Sequence, residues 1–334
     1  MRIARTLIVV MAAGLVLATL SVAFGRRPEA AAGANGSPSV RVKAGEVYLF
    51  AFFKGNGEDG LHLAESEDGL IWHELNGGNS LLRPAVGKDR LMRDPNITVG
   101  PDGLYHLVWT TSWHEPVIGH ATSKDLINWS EQQSITPMTG EPDARNVWAP
   151  ETFYDADSKQ YLLFWATTIP GRFPETDQSG DNGLNHRLYL TTTTDFKTFA
   201  PARLFYDPGF EVIDATIVKE GKRFVMFFKD ETKLPVAKKS LHYAVSQRAQ
   251  GPYGKPSSPI TGNYWAEGPT AIKIDRRWIV YFDKYREHRY GAVASRDLEH
   301  WEDISEQLQF PALARHGTVI RVPRAVLTKL LELK

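Results

Sequence analysis

The feature that most constrains the fold is a phrase repeated four times, in which one acidic residue opens an apolar segment. The acids are spaced by 53 to 63 residues, and an aromatic-rich segment follows each after ten or eleven residues. Repeats of this length are typical of solenoids, propellers and other arrays whose units share one structural role. Units arranged around an axis would bring the acids together, which folding does not require and charge repulsion opposes. The four acids are Asp94, Glu151, Asp214 and Glu267.

A second repeat, a turn motif that ends in an aromatic residue, completes the count of units. It occurs five times, with a degenerate copy at Tyr253, whereas the acidic openings number four. The fifth opening is the segment around His316, near the other end of the chain. We therefore expect residues 316–322 to supply the innermost strand of the blade that contains residues 47–75. The sequence thus predicts an all-β fold, a five-bladed β-propeller of four-stranded blades closed by N- and C-terminal strands. A two-sheet sandwich explains neither the five units nor the split first unit.

The segments outside the repeats indicate an exported protein. A basic start, an apolar run and a small-residue ending are typical of a secretory signal peptide, and an uncleaved membrane anchor is the alternative. We expect a periplasmic or extracellular location, with no stable membrane insertion after cleavage. The predicted segments are a signal peptide at 1–23, a linker at 24–45, a catalytic propeller at 46–323 and a short C-terminal helix or tail at 324–334.

Composition excludes several classes of function. The chain has 334 residues with 39 basic and 39 acidic side chains, so no strong global field favours nucleic acid. It contains no Cys, which excludes disulfides, thiolate zinc sites and cysteine nucleophiles. No nucleic-acid partner is expected.

The acids are suited to glycosidic bond cleavage. We expect the four acids and His316 to occupy equivalent positions and to form a ring around one end of the central channel. Cleavage needs a protonated carboxylic acid beside the leaving oxygen and an ionised carboxylate that activates water or attacks directly. A third carboxylate can raise the pKa of the acid by its like charge.

The motifs RDPN, WAPE, IDATIVK, WAEGPTAI and RHGTV, in this order, resemble those of glycoside hydrolase family 43 over roughly residues 46–322. The resemblance implies an inverting mechanism on arabinofuranosides, xylosides or some galactosides. It implies Asp94 as the general base, Asp214 as the residue that tunes the pKa, and Glu267 as the general acid. We expect the pKa of Glu267 to be raised. The resemblance also implies that His316 lies by a calcium or water site, so a structural calcium is the one metal considered and no cofactor is required.

Other residues are candidates for sugar binding at the pocket. Glu151 either binds a sugar hydroxyl or is structural, and Trp148 and Trp265 either stack on a sugar or pack within blades. Arg93 departs from the family pattern, in which a smaller or apolar residue is usual. The polar loop at residues 167–187 is long enough to be functional. The remaining candidates at the rim are Arg187, Asn146, His186 and Lys284.

These observations favour an exported, exo-acting glycoside hydrolase that removes terminal arabinofuranosyl, xylosyl or galactosyl groups from an oligo- or polysaccharide. Two alternatives stay open. One is a carbohydrate-binding propeller without catalysis. The other is a related five-bladed glycosidase or phosphorylase. The fructan-cleaving type of such enzymes has a Glu beside Cys, and this chain has no Cys.

Overall fold

Five antiparallel sheets follow one another along residues 45–333, the part of the chain that this computed structural model describes. The predicted signal peptide at 1–23 and all but the last residue of the linker at 24–45 lie outside the described residues. The first sheet contains β1 (Glu46–Phe53), β2 (His62–Ser66), β3 (His73–Glu74) and, from the other end of the chain, β19 (Arg315–Pro323). The second contains β4 (Arg93–Val99), β5 (Tyr105–Thr110), β6 (Ile118–Ser123) and β7 (Gln133–Ile135).

The other three sheets repeat this order from the inner strand outwards. The third contains β8 (Trp148–Asp155), β9 (Gln160–Thr168), β10 (His186–Thr193) and β11 (Arg203–Tyr206). The fourth contains β12 (Val212–Glu220), β13 (Arg223–Asp230) and β14 (Ser240–Ser246). The fifth contains β15 (Glu267–Ile274), β16 (Arg277–Lys284), β17 (Arg289–Ser295) and β18 (Glu302–Asp303).

The sheets are the blades of a five-bladed propeller, and the predicted closure of the ring is confirmed. Strand β19 pairs antiparallel with β1, so that Val47 lies opposite Val322 and Phe50 opposite Val319. The prediction of four strands in every blade is wrong for the fourth blade, which has three. Its missing outer strand falls on the degenerate copy of the turn motif, GPYGKPSSP, whose three prolines lack the N–H that a strand ladder needs.

Apolar contacts between the blades hold the ring together. The buried apolar side chains form five clusters, and each cluster lies between two neighbouring blades. The strands second from the axis are therefore buried on both faces, which explains their almost uninterrupted apolar sequences. A helix, α1 (Arg324–Leu331), follows β19 and buries Leu327 and Leu330 against the cluster between the first two blades. Among residues 45–333 no helix has the length and apolar character needed to cross a bilayer.

A β-bulge near the start of the inner strands positions the functional side chains. The pairing register shifts there in β4, β8, β12 and β15, and one residue in each bulge has a positive φ. These residues are Asp94, Ala149, Asp214 and Gly268, with φ between 45° and 61°. Bulges re-aim side chains at the ends of strands. Each bulge lies at the end of the strand where the chain first reaches the propeller axis.

The bulges correct the expectation that the four acids and His316 are equivalent. Asp94 and Asp214 occupy the same bulge position, and His316 takes the corresponding place in β19. Glu267 lies one residue before that position and Glu151 lies two residues after it. Because side chains alternate along a strand, these offsets place the carboxylates of Glu267 and Glu151 at different depths along the channel.

Gly317 in β19 provides a test of ring closure. A Cβ at Gly317 would lie 1.9 Å from the carbonyl oxygen of Ala51 in β1. Gly317→Ala should therefore destabilise the protein by ~1–3 kcal/mol, because β1 and β19 must move apart. Urea unfolding measures the change. Gly140→Ala is the control, since its Cβ would meet nothing within 4 Å. Equal stability of the two variants would contradict the close pairing of these strands.

Candidate active site

A cavity of about 620 Å³ opens at the end of the ring where the inner strands begin. Side chains from all five blades and from the loop between β9 and β10, within the predicted span 167–187, surround it. Six of the side chains that line the cavity are carboxylates: Asp94, Asp181, Glu211, Asp214, Glu231 and Glu267. The structure thus brings the three predicted catalytic acids to one cavity, together with His316.

His316 joins the two aspartates across the floor of the cavity. Its Nδ1 lies 3.3 Å from Oδ1 of Asp94 and 3.9 Å from Oδ2 of Asp214. The hydroxyl of Thr110 donates to Oδ2 of Asp94 at 2.8 Å, and the N–H of Gly268 donates to Oδ2 of Asp214 at 3.0 Å. Asp94 is therefore fixed by Thr110 of its own blade and by His316 of the neighbouring blade, and Asp214 by Gly268 of the next blade.

The two aspartates differ in pKa because their surroundings differ. Burial would raise the pKa of Asp94, but the hydrogen bond and charge of His316 outweigh burial and lower it to about 2. Burial raises the pKa of Asp214 to about 6, and the charges of Glu267 and Asp94 act in the same direction. Burial would lower the pKa of His316, but the charges of Asp214 and Asp94 raise it to about 9. At neutral pH Asp94 is ionised and His316 is positively charged.

Glu267 lies between two cations. Nζ of Lys229 donates to Oε2 at 3.1 Å, and Nη2 of Arg315 donates to Oε1 at 3.1 Å. Burial would raise the pKa of Glu267, but the charges of Lys229 and Arg315 outweigh burial and lower it. The expectation of a raised pKa is therefore wrong for the unliganded site. Burial, together with the like charges of Glu267 and Asp94, raises the pKa of Asp214 instead.

A chain of alternating charges connects Glu267 with the long loop. Lys229 also lies 2.6 Å from Oε2 of Glu231, whose other oxygen binds Lys239. Lys239 in turn lies 3.1 Å from Oδ2 of Asp181, in the loop. Lys229 and Lys239 are almost completely buried, and a buried lysine needs carboxylate partners to stay charged. The loop and the Glu267 carboxylate therefore belong to one electrostatic network.

Trp148 and Arg93 lie on the cavity wall, as predicted for binding residues. The indole of Trp148 packs at 4.6 Å from the ring of His186, and its Nε1 donates to the carbonyl of Trp113 at 3.0 Å. The guanidinium of Arg93 stacks on Trp113 at 4.1 Å from the ring centre. Asn146 lies behind the wall, where its amide contacts Nε2 of His186 at 2.8 Å.

Four other candidates do not line the cavity. Glu151 lies deeper in the channel, and burial raises its pKa to about 8. Trp265 packs beside Tyr285 and under the guanidinium of Arg286. Arg187 is fully buried, with Nε donating to Asp207 and Nη2 to Thr176, so it anchors the long loop. Lys284 pairs with Glu287.

The contacts of His316 do not fit a metal ion on Nδ1. The imidazole ring is positively charged, and its Nδ1 faces the carboxylates of Asp94 and Asp214. The described residues contain no group of three or more His, Cys, Asp or Glu side chains arranged to hold a metal. A structural calcium stays a prediction.

The motifs did not predict Lys229 and Arg315 as residues of the site, although the positions of both residues in the sequence could have indicated them. Residues near the end of a second strand lie opposite the first residues of the inner strand of the same blade. Thus Lys229 pairs with Ile213, and Asp283 pairs with Glu267. A charged residue at the end of an otherwise apolar strand, as in FVMFFK and WIVYFD, is the signal that could have found them. Arg315 directly precedes His316 and was available in the same motif.

The five-bladed propeller and the carboxylates at one end of its channel agree with the resemblance to glycoside hydrolase family 43. The chain belongs to the family 43-related family described as "Probable glycosyl hydrolase domain", whose model matches residues 44–327. A region of 118 residues is 29% identical to an alpha-L-arabinofuranosidase of Bifidobacterium longum, covering 33% of this chain and 11% of that enzyme. The matches span less than a third of the length of each curated relative.

Two solved structures show a similar fold. An alpha-L-arabinofuranosidase from Lactobacillus brevis aligns with a TM-score of 0.50 at 18% identity, covering 64% of this chain and 72% of that one. An exo-beta-1,3-galactanase from Phanerochaete chrysosporium also aligns with a TM-score of 0.50, at 12% identity, covering 69% of this chain and 51% of that one.

His316 makes stability depend on pH. Its pKa is about 9 in the folded protein, against 6.5 for an ordinary histidine. Its contribution to stability should be complete below pH 6.5 and lost as pH rises through about 9, a change on the order of 3 kcal/mol. Urea unfolding below and above this window measures the loss in the wild type. His316→Gln should flatten this dependence, and His73→Gln, at an exposed site, should preserve it. An unchanged slope in His316→Gln would contradict the ion pairs.

Proposed function

We propose that the protein is an exo-acting glycoside hydrolase with an inverting mechanism, in which Asp94 is the general base, Glu267 the general acid and Asp214 the residue that tunes proton uptake. The observation that carries this proposal is the pair of Asp94 and Glu267 in one cavity, on inner strands of non-adjacent blades. The family membership supports the reaction class, and the motif order supports the roles.

In this mechanism Asp94 activates water. Its low pKa keeps it ionised at working pH, and Thr110 and His316 fix its orientation. Water attacks the anomeric carbon from the side of Asp94 as the bond to the leaving oxygen breaks. The water proton passes to Asp94, and the leaving oxygen takes a proton from Glu267. An inverting site holds the two carboxyls ~6.5–9.5 Å apart to admit this water.

Proton supply is the demanding step, because Lys229 and Arg315 favour the ionised form of Glu267. Asp214, whose pKa burial raises to about 6, and Glu267 interact as like charges, so the pair takes up its first proton near pH 6, on Asp214 in the unliganded site. We infer that the enzyme works best at acidic pH, where this pair carries a proton. Substrate binding that excludes water and loosens either cation contact would raise the pKa of Glu267.

The shape of the site favours attack at chain ends. The cavity closes onto the propeller channel, and the loop at residues 167–187 contributes to its wall. The sugar removed is arabinofuranosyl, xylosyl or galactosyl, by analogy with relatives described as an arabinofuranosidase and a galactanase. The proposed setting is an exported enzyme acting on oligo- or polysaccharides, based on the signal-like pattern at 1–23.

One observation favours a second candidate, a carbohydrate-binding propeller without catalysis. Glu267 is held ionised by two cations, and such a carboxylate donates no proton. The two functions differ in turnover. A panel of aryl arabinofuranosides, xylosides, galactosides and galactofuranosides, assayed from acidic to neutral pH, separates them, because a binding protein would release no aglycone at any pH.

The panel also tests Asp94. Asp94→Asn keeps the shape of the side chain and removes its basicity, so kcat should fall at least ~10²-fold on the substrate that the wild type cleaves. Asp157→Asn, at an exposed carboxylate, is the control and should keep full activity. Proton NMR of the first product anomer should show inversion. Near-wild-type activity of Asp94→Asn would remove it as base, and net retention would make it a nucleophile.

The pH profile tests the cations around Glu267. Lys229→Met removes a positive charge from the carboxylate, so the basic limb of kcat/KM should move to higher pH by roughly one unit or more. Lys233→Met is the matched control, because Lys233 pairs with Asp181 rather than with Glu267. Because Lys229 is buried, thermal unfolding of both variants should confirm that they fold. A basic limb that stays in place in folded Lys229→Met would show that Glu267 is not the group responsible.

A further inference from the structure

The carboxylates on the cavity wall all have positively charged or imidazole partners. Each of the six carboxylates has a cationic or imidazole group within 4.0 Å. Asp94 and Asp214 face His316, and Glu211 faces His186. Asp181 faces Lys233 and Lys239, Glu231 faces Lys229 and Lys239, and Glu267 faces Lys229 and Arg315. Each carboxylate of the cavity is therefore already in contact with at least one of these groups.

Two arginines on the same wall have no such partner. Neither Arg93 nor Arg145 has a carboxylate oxygen within 4.0 Å anywhere in residues 45–333. Arg145 is exposed, where water screens its charge, and its Nη1 donates to the carbonyl of Gly183. Arg93 is only 8% exposed. Burial lowers the pKa of Arg93, and the charges of Asp94, Glu267 and Asp214 oppose this shift without a direct ion pair.

The surroundings of Arg93 fix the plane of its guanidinium. The group lies between two aromatic rings, 4.7 Å from the centre of Phe53 and 4.1 Å from that of Trp113. Oδ1 of Asn56 accepts both from Nη1 of Arg93, at 3.1 Å, and from Nε1 of Trp113, at 3.0 Å. The side chain is thus held in one orientation before any ligand binds, which reduces the entropy lost on binding.

Most of the donors of Arg93 are unused. A guanidinium has five N–H groups, and within the described chain one of them has a protein acceptor, Oδ1 of Asn56. The group borders the cavity beside Asp94. A planar, fixed fork of donors matches the two oxygens of a carboxylate, which it binds with two parallel hydrogen bonds.

We propose that the sugar in the cavity carries a carboxylate that Arg93 binds, so that the substrate is a glycoside of a hexuronic acid. This inference rests on the proposed function and narrows it. Arabinose and xylose are pentoses without a C6 atom, whereas galactose has a C6 whose oxidised form is the carboxylate of galacturonic acid. Arg93 therefore selects the galactosyl type of ring in its uronic acid form.

The test measures binding, which does not depend on turnover. Isothermal titration at near-neutral pH compares D-galacturonate with D-galactose, and D-glucuronate with D-glucose, on the wild-type protein. A charge-assisted pair of hydrogen bonds in a partly desolvated site should favour the uronate roughly 10- to 100-fold. The preference should weaken at high salt, since the contact is ionic. Equal affinity for galacturonate and galactose would overturn the proposal.

Variants of Arg93 assign the preference to this side chain. Arg93→Gln should abolish the preference for the uronate and leave the affinity for galactose within a few-fold. Arg93→Lys keeps the charge without the fork and should retain part of the preference. Arg203→Gln, at an exposed arginine remote from the cavity, is the matched control. A uronate preference that persists in folded Arg93→Gln would refute the role of Arg93.

A third ligand separates two kinds of anion. D-galactose 6-sulfate places a tetrahedral anion at the same carbon, and tighter binding of the sulfate than of galacturonate would refute the carboxylate assignment. Failure of this proposal is distinct from failure of the proposed function. A protein that hydrolyses neutral aryl glycosides but shows no uronate preference would contradict only the proposal. Uronate binding through Arg93 without turnover on any aryl glycoside, aryl galacturonide and aryl glucuronide included, would contradict only the hydrolase.

Discussion

The imidazolium of His316 lies between Asp94 and Asp214, and the geometry of the site depends on this contact. Two carboxylates at such short range repel one another unless a proton or a cation separates them. His316 supplies that charge from the strand that closes the ring, and Lys229 does the same for Glu267 from the second strand of its neighbouring blade. The site is therefore a network of alternating charges, in which the ionisation state of each side chain depends on its charged neighbours.

This network explains how one cavity can hold carboxylic acids with different pKa values. Asp94 has a pKa of about 2 and Asp214 one of about 6, although both occupy the same position of their blades. The difference comes from the surroundings, since Thr110 and His316 stabilise the charge of Asp94 while burial dominates for Asp214. Repetition of a blade thus provides the positions, and the partners that each position receives determine the chemistry.

The sequence was sufficient for the number of blades and for the closure of the ring, because both follow from the spacing of apolar segments along the chain. It was insufficient to predict how deep in the propeller channel each acidic side chain lies. Glu267 lies one residue before the bulge position of its strand, whereas Asp214 occupies that position in its own strand. Such an offset leaves no trace in the spacing of motifs. Composition likewise does not distinguish Arg93, which faces the cavity, from Arg187, which is fully buried against Asp207. Those differences arise from contacts between distant segments.

The split first blade has a consequence for how the protein matures. Strand β1, EVYLFAFF, is the first of the described strands to be synthesised, whereas its inner partner β19 is the last of them. Until then an apolar strand edge stays open, and pairing so distant in sequence forms slowly. Because His316 belongs to β19, an unfinished chain lacks both the ring and the charge that the aspartates require. The assembled carboxylate site and protection from aggregation are therefore acquired in the same folding step.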